Sequence, residues 1–367
     1  MTIVAINAMI LEKGQLSGIG NYIVQLLEGF ARLDRAAPAS HQIIVICRAD
    51  AARHFDRIAG LDVRRVSSGR GRFARVLVEQ LRLPWMLRSA KVDVLLNPAF
   101  TGPVWGARAI VTTVHDVYFR IVPDLVPVAQ RRFLGALVPI CCRRSRIVIT
   151  PSQSTRRDLE QSYPDLAGKI RVIPLASRFP ASPIQDEVVA QEKFVLIVAA
   201  LTGNKNAEPL VAAIARLRDR HPTLSLVHIG RDPDGQLEKA VAKHEAAAWT
   251  CSRQDVSDAE LSAAYRQCLC VVVPSLYEGF GLPLLEAQAF GAPLISSDRG
   301  SLPEVGGAGA IYIDPADVGA IATAIDLLVQ RPDRRETLRR AGYANLARFS
   351  WEKTARTTWN ALLGAGA

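Results

Sequence analysis

Glu278 and Glu286 stand eight positions apart around a junction of loop and helix whose chemistry can be read residue by residue. The run Leu269 to Val273 is wholly apolar, as a strand buried on both faces requires, and it stops at Pro274-Ser275. A loop carrying Gly279, Phe280 and Gly281 follows, and Pro283 opens a helix that ends near Gly291. Proline suits the first helical position, where its missing N–H would have had no partner. The N–H groups and dipole of such a helix start attract an anion, most naturally phosphate, which makes Leu282, Pro283 and the turn to Leu285 a phosphate cradle. Gly279 and Gly281 let the backbone approach a ligand where a Cβ would obstruct it. Glu278, in the loop, can face a sugar while Glu286, one turn inside the helix, accepts hydrogen bonds from ribose hydroxyls. These types at these spacings outline a site for a nucleotide sugar.

Four further groups could take part in chemistry. Lys205, in Leu201–Asn206, lies between the first strand of the second half and the helix after it. A lysine in such a loop either binds an anion or is merely solvated. His115-Asp116 follows the strand Ile110–Val114, at the carboxyl end of a parallel strand, where open α/β sheets bind ligands. That histidine either meets a ligand or is hydrogen-bonded within its loop, and both readings predict neutral imidazole at pH 7. Ser17-Gly18-Ile19-Gly20-Asn21 precedes an amphipathic helix. A nicotinamide-binding turn would follow its strand directly and carry a third small residue where Ile23 stands, so alone this is a weak Gly-x-Gly or a plain helix cap. Asp232-Pro233-Asp234 has the spacing of a metal-binding D-x-D, but it sits in a turn-rich stretch with Pro233 and Gly235, where aspartates serve backbone hydrogen bonding. No bound metal is expected there.

The run Glu278-Gly279-Phe280-Gly281-Leu282-Pro283-Leu284-Leu285-Glu286-Ala287 resembles the E-x7-E signature of retaining glycosyltransferases, particularly glycosyltransferase family four. The resemblance implies an α/β GT-B fold, two Rossmann-like domains facing each other across a cleft, with a C-terminal helix crossing back to the first. It also implies that Lys205 binds the donor diphosphate and offsets charge on the leaving group, that His115 reaches a hydroxyl of the transferred sugar, and that the loop with Gly18 and Gly20 lies under the donor phosphates. Many members carry an arginine where this chain has Ala200, so one phosphate contact must come from another group. Thr250–Asp255 occupies the place of the base contact, without the glycine often found there. The implied reaction is metal-independent and retaining, the donor phosphate taking the acceptor proton on the same face. No carboxylate pair suited to double displacement is evident, in contrast to retaining glycosidases. The expected catalytic groups are Glu278, Lys205 and His115, with no cofactor beyond the nucleotide sugar.

These groups need strands and helices in alternation to position them, and the sequence supplies two such sets. In the first half, strands are expected at Ile3–Asn7, Ile43–Cys47, Val92–Leu96, Ala109–Val114, Ile147–Thr150 and Arg171–Ile173, with helices at Gly20–Arg32, Phe73–Ala90, Val128–Arg143 and Ser152–Ser162. Pro174 to Pro183 reads as a linker. Strands then fall at Phe194–Ala200, Ser225–Ile229, Cys270–Val273, Leu294–Ser296 and Ile311–Ile313, and helices at Ala207–Arg220, Glu238–Glu245, Asp258–Cys268, Leu284–Gly291 and Ala316–Gln330. Such alternation argues for parallel sheets. The expected division is an acceptor-binding domain at 1–178, a donor-binding domain at 184–348, and a helix at 349–367 that begins after a break at Phe349-Ser350-Trp351.

At 367 residues, with 49% hydrophobic and 22% charged content, the chain has the composition of two globular domains. No run of about 18 apolar residues is present to span a bilayer, and no basic leader precedes the first strand. Six scattered cysteines show no zinc spacing, which suits reduced thiols in the cytosol. Residues 1–180 hold 26 Lys+Arg against 13 Asp+Glu, a net +13, while the remainder holds 19 against 22, a net −3. Arg64, Arg65, Arg70, Arg72 and Arg75, then Arg131, Arg132, Arg143, Arg144, Arg146, Arg156 and Arg157, supply much of the excess. Such a half would be drawn to anionic lipid, to a diphosphate-linked acceptor or to nucleic acid, or is an ordinary solvated surface. Residues 72–90 mix Arg72, Arg75, Arg82 and Arg88 with Phe73, Leu77 and Trp85. This stretch either lies in a membrane interface or packs on the sheet; its Glu79-Gln80-x-x-Leu83-Pro84 resembles a string common in family-four polysaccharide mannosyltransferases. The expectation is a hexosyltransferase using GDP-mannose, or a UDP-sugar, on a polyprenyl-diphosphate-linked or other glycan acceptor. It would be cytoplasmic and peripheral at the inner face of the plasma membrane, with an anionic membrane surface and not nucleic acid as partner. A nucleotide-sugar epimerase, which would need no acceptor, and a non-catalytic binding protein are the rivals.

Overall fold

Seven strands, all parallel, form the sheet of a first unit: β1 (Thr2–Ala8), β2 (His41–Arg48), β3 (Leu61–Val66), β4 (Val94–Asn97), β5 (Ala109–Thr113), β6 (Ile147–Thr150) and β7 (Ile170–Val172), in the order β3-β2-β1-β4-β5-β6-β7. Six more, also all parallel, form a second: β8 (Phe194–Val198), β9 (Ser225–Ile229), β10 (Thr250–Arg253), β11 (Cys270–Val273), β12 (Leu294–Ser297) and β13 (Ile311–Ile313), ordered β10-β9-β8-β11-β12-β13. The computed structural model describes residues 1–14, 16–36, 41–68, 71–181 and 193–366, without the side chains of residues 34–36, 72 and 73. Arg70, Ser182, Pro183 and the expected domain start at residue 184 lie outside the described residues, as do the side chains of Arg72 and Phe73.

Both sheets reverse their strand order once, between β1 and β4 in the first unit and between β8 and β11 in the second. At such a point the connections on either side diverge and leave a crevice at the carboxyl ends of the strands. The first unit comprises Met1–Arg120, Pro127–Ala176 and the chain from Ser350 on; the second comprises Ile121–Val126 and Ser177–Phe349. The two form the Rossmann-like pair, with a C-terminal helix folding back, that defines the GT-B architecture.

Continuous apolar runs become central strands because both faces are covered. On one face of the second sheet, Val195, Ile197 and Val272 pack with Leu210, Ile214, Ile321 and Ile325 from the helices Ala207–Leu217 and Val318–Gln330. On the other, Leu196, Val271 and Leu294 pack with Leu284 and Ala287 of the helix Leu282–Ala289. In the first unit, Ala5, Ile44, Ile46 and Leu95 pack with Leu83 and Leu87. The helix Trp351–Gly366 seats on this unit, where Phe30 meets Trp359 with ring centres 4.9 Å apart and Thr354 Oγ1 donates to Pro174 O at 2.7 Å.

Three differences from expectation have physical causes. Strands β3 and β10 are absent from the sequence reading because their residues, Leu-Asp-Val-Arg-Arg-Val and Thr-Cys-Ser-Arg, are rich in polar groups, largely half-exposed or exposed, and form no apolar run, whereas the edge strands β7 and β13 were expected. The helix expected at Phe73–Ala90 is three pieces: α-helix Arg72–Leu77, a π-helical turn Val78–Arg82, and α-helix Leu83–Ser89. Arg75 does not belong to an exposed basic face, because its side chain is 16% exposed and turned towards Glu79, 3.9 Å away.

Candidate functional site

The second unit's crevice is built by the two loops that leave β8 and β11, the pair of strands that flank its reversal. After β8 the chain makes a short 3-10 turn, Gly203–Lys205, then Asn206 in left-handed backbone (φ 54), before the helix Ala207–Leu217. After β11 the loop from Pro274 leads to Gly281, whose φ of 94 turns the chain into the helix Leu282–Ala289. A Cβ on Gly281 would lie 2.6 Å from Leu302 Cδ2, so both conformation and close approach call for glycine at this corner.

Hydrogen bonds tie the two loops together. Leu276 N–H donates to Asn204 O at 2.8 Å, and Asn204 Nδ2 donates to Tyr277 O at 2.9 Å. Across this brace Lys205 Nζ donates to Glu278 Oε1, forming an ion pair. Ser275 Oγ donates to the same oxygen at 2.8 Å, while Ser301 holds the Glu278 backbone oxygen through its N–H (3.1 Å) and Oγ (2.9 Å). The pair is partly shielded, with side chains 21% and 16% exposed, and lines a cavity with Ala199, Pro274, Ser275 and Pro283. Lys205 is the one cation among the described residues lining it, and Ala200 leaves no second beside it.

Glu286 faces a different set of groups. Its Oε1 accepts from Arg178 Nε at 3.3 Å and its Oε2 from Tyr265 OH at 3.1 Å; Arg178 Nη1 also donates to Asp258 Oδ1 at 2.8 Å. Burial pushes the Glu286 carboxyl above its ordinary range, the Arg178 charge and the hydrogen bonds from Tyr265 and Arg178 draw it back, and Asp258 adds a small upward push. Burial also drives the Tyr265 phenol well up, so it stays a donor. Sequence reasoning missed both partners. Arg178 lies in the stretch read as linker, and Tyr265 reads as an ordinary core position of the helix Asp258–Gln267.

Other parts of the signature divide between loop and core. Phe280 is buried and meets Phe349 edge-on at 5.8 Å, so its ring is packing and only its backbone faces the loop. Leu284 N–H turns back to Gly281 O at 3.0 Å, and Pro283 has no N–H, so two of the amides at this helix start are not available to an anion. In the segment Thr250–Asp255, Asp255 takes φ 52, a left-handed conformation that Asp tolerates better than most residues.

In the first unit, Gly18 opens the helix Gly18–Ala36, and Ser17 Oγ accepts from Gly20 N–H at 3.2 Å, an ordinary cap. A Cβ on Gly20 would sit 3.0 Å from Leu16 Cδ2, so packing accounts for that glycine. His115 is buried behind β5, with Nε2 paired to Pro98 O at 2.8 Å and the rings of Tyr22 and Phe100 edge-on at 4.9 and 5.8 Å. Since a carbonyl can only accept, Nε2 carries the hydrogen and Nδ1 keeps its lone pair. Burial holds its pKa down at about 4, against the pull of the Pro98 carbonyl.

Asp232 faces backbone amides. Its two carboxylate oxygens accept from the N–H groups of Gln236 (2.8 Å), Leu237 (2.9 Å) and Glu238 (3.3 Å), capping the helix Gln236–Lys243. Among the described residues no group of three or more His, Cys, Asp or Glu could hold a metal ion.

Comparison with known proteins divides the chain where the structure does. Residues 16–176 match the family described as Glycosyltransferase Family 4, and residues 181–345 match glycosyl transferases group 1. The O-antigen chain mannosyltransferase B of Escherichia coli is 29% identical over 95% of this chain and 96% of its own length. Among solved structures, sucrose-phosphate synthase from Thermosynechococcus elongatus superposes with a TM-score of 0.75 at 21% identity over the whole of both chains. Anabaena HepE in complex with UDP and glucose superposes with a TM-score of 0.75 at 17% identity over 99% of each.

Proposed function

We propose that this chain, a glycosyltransferase of the GT-B superfamily related to family-four and group-one members, moves a hexose from a nucleoside-diphosphate donor to a glycan or lipid-linked acceptor, with retention and without a metal. The observation that carries the reading is the meeting of Lys205 and Glu278 from the two loops at the second sheet's reversal point. A cation there binds the donor diphosphate and offsets the charge that grows on it as the glycosidic bond breaks, and such preorganised charge is often the largest contribution to catalysis. Glu278 then faces the sugar, Glu286 accepts from the ribose hydroxyls, and the backbone of Gly279, Phe280, Gly281, Leu282 and Pro283 runs beside the donor. His115, with a neutral ring, accepts from a sugar hydroxyl through Nδ1. The donor phosphate takes the acceptor proton, so neither glutamate has to act as a nucleophile. Residues 1–178 are assigned to the acceptor, 184–348 to the donor, with Gly18 and Gly20 in the loop nearest the donor phosphates.

For the donor, a UDP-sugar has the stronger support, because HepE, a protein of this fold, is described in complex with UDP and glucose. GDP-mannose, the first expectation from the sequence, draws on the mannosyltransferase named above. Location follows from charge. Leu77, Leu81 and Trp85 are 44%, 65% and 65% exposed, beside the exposed Arg82 and Arg88, and no helix among the described residues is long and apolar enough to cross a membrane. This face is assigned to an anionic lipid surface at the inner leaflet. Incubating the enzyme with UDP-glucose, UDP-galactose, UDP-N-acetylglucosamine and GDP-mannose, each with and without a lipid-linked diphospho-sugar, tests the reading. Product with acceptor present supports transfer; interconversion of the donor alone would make the protein an epimerase; nucleotide binding with no turnover would make it a binding protein.

A further inference from the structure

The first sheet's reversal point holds a buried cluster of polar groups to which the donor chemistry gives no role. Asn7 near the end of β1 and Asn97 at the end of β4 stand on either side of the reversal, where open α/β sheets take their ligands. Glu79 reaches in beside them from the π-helical turn Val78–Arg82, a geometry found mostly as single turns inside α-helices and frequently at functional sites. It is 2% exposed. Asn7 Nδ2 lies within donating distance of both Glu79 Oε1 (3.3 Å) and Asn97 Oδ1 (3.4 Å), and Met9 N–H donates to Asn7 Oδ1 at 3.3 Å. Glu79 Oε2 has no hydrogen-bond partner among the described residues, and neither has Arg75 Nε, which lies 3.9 Å from Glu79 Oε1. A buried charged group with an open valence is destabilising by more than about 1–3 kcal/mol, so packing alone would favour an apolar side chain here. The loop 98–103 packs directly over these groups, a Cβ on Gly102 falling 2.0 Å from Asn97 Oδ1, and is held by two bonds, Gln80 Nε2 to Gly102 O at 2.7 Å and Asn97 Nδ2 to Pro103 O at 3.2 Å, with Phe100 in left-handed backbone (φ 52).

We propose that this cluster is a sugar-reading subsite of the acceptor, in which Glu79 Oε2 accepts from one ring hydroxyl and Arg75 Nε donates to a neighbouring ring oxygen. The inference rests on the glycosyl-transfer reading and deepens it by naming what the first unit recognises. The carboxylate decides the chemistry, since it repels a diphosphate and favours a neutral polyhydroxylated ring. Entry requires the loop 98–103 to release Gln80. Among the described residues, Glu79 is faced by Arg75 on the same helical stretch, Asn7 on β1 and the Cys141 thiol on the helix Val128–Arg144. Burial lifts its carboxyl to about 6 against the pull of Arg75 and Asn7, so it accepts hydrogen bonds as an anion at pH 7 and weakens as an acceptor below about 6.

Isothermal titration with a panel of methyl hexosides, in the presence of UDP, tests the subsite directly. The wild type should bind at least one member, Glu79→Gln should weaken that binding at least fivefold, and UDP affinity should be the same in both. Wild-type sugar affinity should fall between pH 7 and 5, and that dependence should be absent in Glu79→Gln. Arg75→Gln, which leaves the Asn7 contact in place, provides the second variant should Glu79→Gln melt at a markedly lower temperature. No methyl hexoside bound by the wild type, or binding by both variants as tight as wild type at every pH, would overturn the subsite. Failure of transfer from every donor, with hexoside binding and its loss in Glu79→Gln intact, would instead overturn the glycosyl-transfer reading and leave a sugar-binding site.

Discussion

Replacing Glu286 by alanine tests the donor site at a carboxylate whose surroundings are fully specified. Its two oxygens accept from Arg178 at 3.3 Å and Tyr265 at 3.1 Å, and in the proposed complex they also accept from ribose. Loss of a charge-assisted hydrogen bond of that kind should weaken nucleotide binding by about 1–3 kcal/mol, which is roughly 5- to 150-fold in Kd. The same change strips the fully buried Tyr265 hydroxyl of its acceptor, which should cost about 1–3 kcal/mol of folding stability. The two effects separate in Tyr265→Phe, which removes the hydroxyl but keeps the carboxylate and its Arg178 partner. That variant should lose stability with nucleotide Kd changed by less than about twofold. Titration calorimetry with UDP and GDP at pH 7, beside thermal melts, reads both quantities. A Glu286→Ala protein that melts lower but binds UDP and GDP as tightly as wild type would refute the ribose role. Glu286 would then be only the anchor that holds Arg178 and Tyr265.

Lys205→Ala and Glu278→Ala should each lower turnover tenfold or more, since charge at the β8 and β11 loops matters most in the transition state; steady-state rates near wild type in both would sink the mechanism. Activity should survive EDTA, because Asp232 is committed to the amides of Gln236, Leu237 and Glu238, and loss restored by manganese or magnesium would reverse this. His115, held near 4 by burial, refuses a proton that the unfolded chain accepts below about 6.5. Its contribution is therefore complete above pH 6.5 and is lost as pH falls towards 4, by up to about 3 kcal/mol. Glu79, lifted to about 6, works in the opposite sense between 4.5 and 6, so urea melts of His115→Asn should be compared with wild type at pH 7 and 4.5; equal acid losses in the two would contradict the buried neutral ring. Co-sedimentation with anionic vesicles should fall steeply from low to high salt, as screening over about 8–10 Å requires, whereas equal binding to neutral vesicles at high salt would assign the attachment to insertion of Leu77, Leu81 and Trp85.

Central strands were legible in the sequence because burial on both faces leaves a continuous apolar run, as in Cys270–Val273 and Phe194–Val198. The polar, part-exposed edge strands β3 and β10 have no such signature, although the edge strand β13, Ile311-Tyr312-Ile313, keeps one, and β10 borrows its regularity from pairing with β9 rather than from its own side chains. The Glu278 loop was readable because its conformation is written in local residue types, with glycine at the left-handed corner and proline at the helix start. The surroundings of Glu286 were not, since Arg178 and Tyr265 are 108 and 21 positions away in sequence and nothing in a polar linker or a helical core position announces a shared carboxylate. The π-helical turn at Glu79 likewise has no local marker, since helical periodicity is the same on either side of it.

The seating of the helix Trp351–Gly366 has a consequence for how the chain is made. A Cβ on Gly29 would fall 2.3 Å from Ala355 Cβ, Arg146 Nη1 donates to Ala365 O at 2.7 Å, and Tyr22 and Phe30 meet Trp351 and Trp359. All of these contacts lie in the first unit, which therefore cannot close its core when Ala176 leaves the ribosome. At about 5–20 residues per second, the roughly 170 residues up to Ser350 add about 10–35 s. During that interval the Gly18–Ala36 helix displays the apolar seam meant for its distant partner. The second unit, whose sheet and helices between Ser177 and Phe349 are continuous in sequence, can consolidate in the meantime. Synthesis thus proceeds with the earlier-made unit finished later.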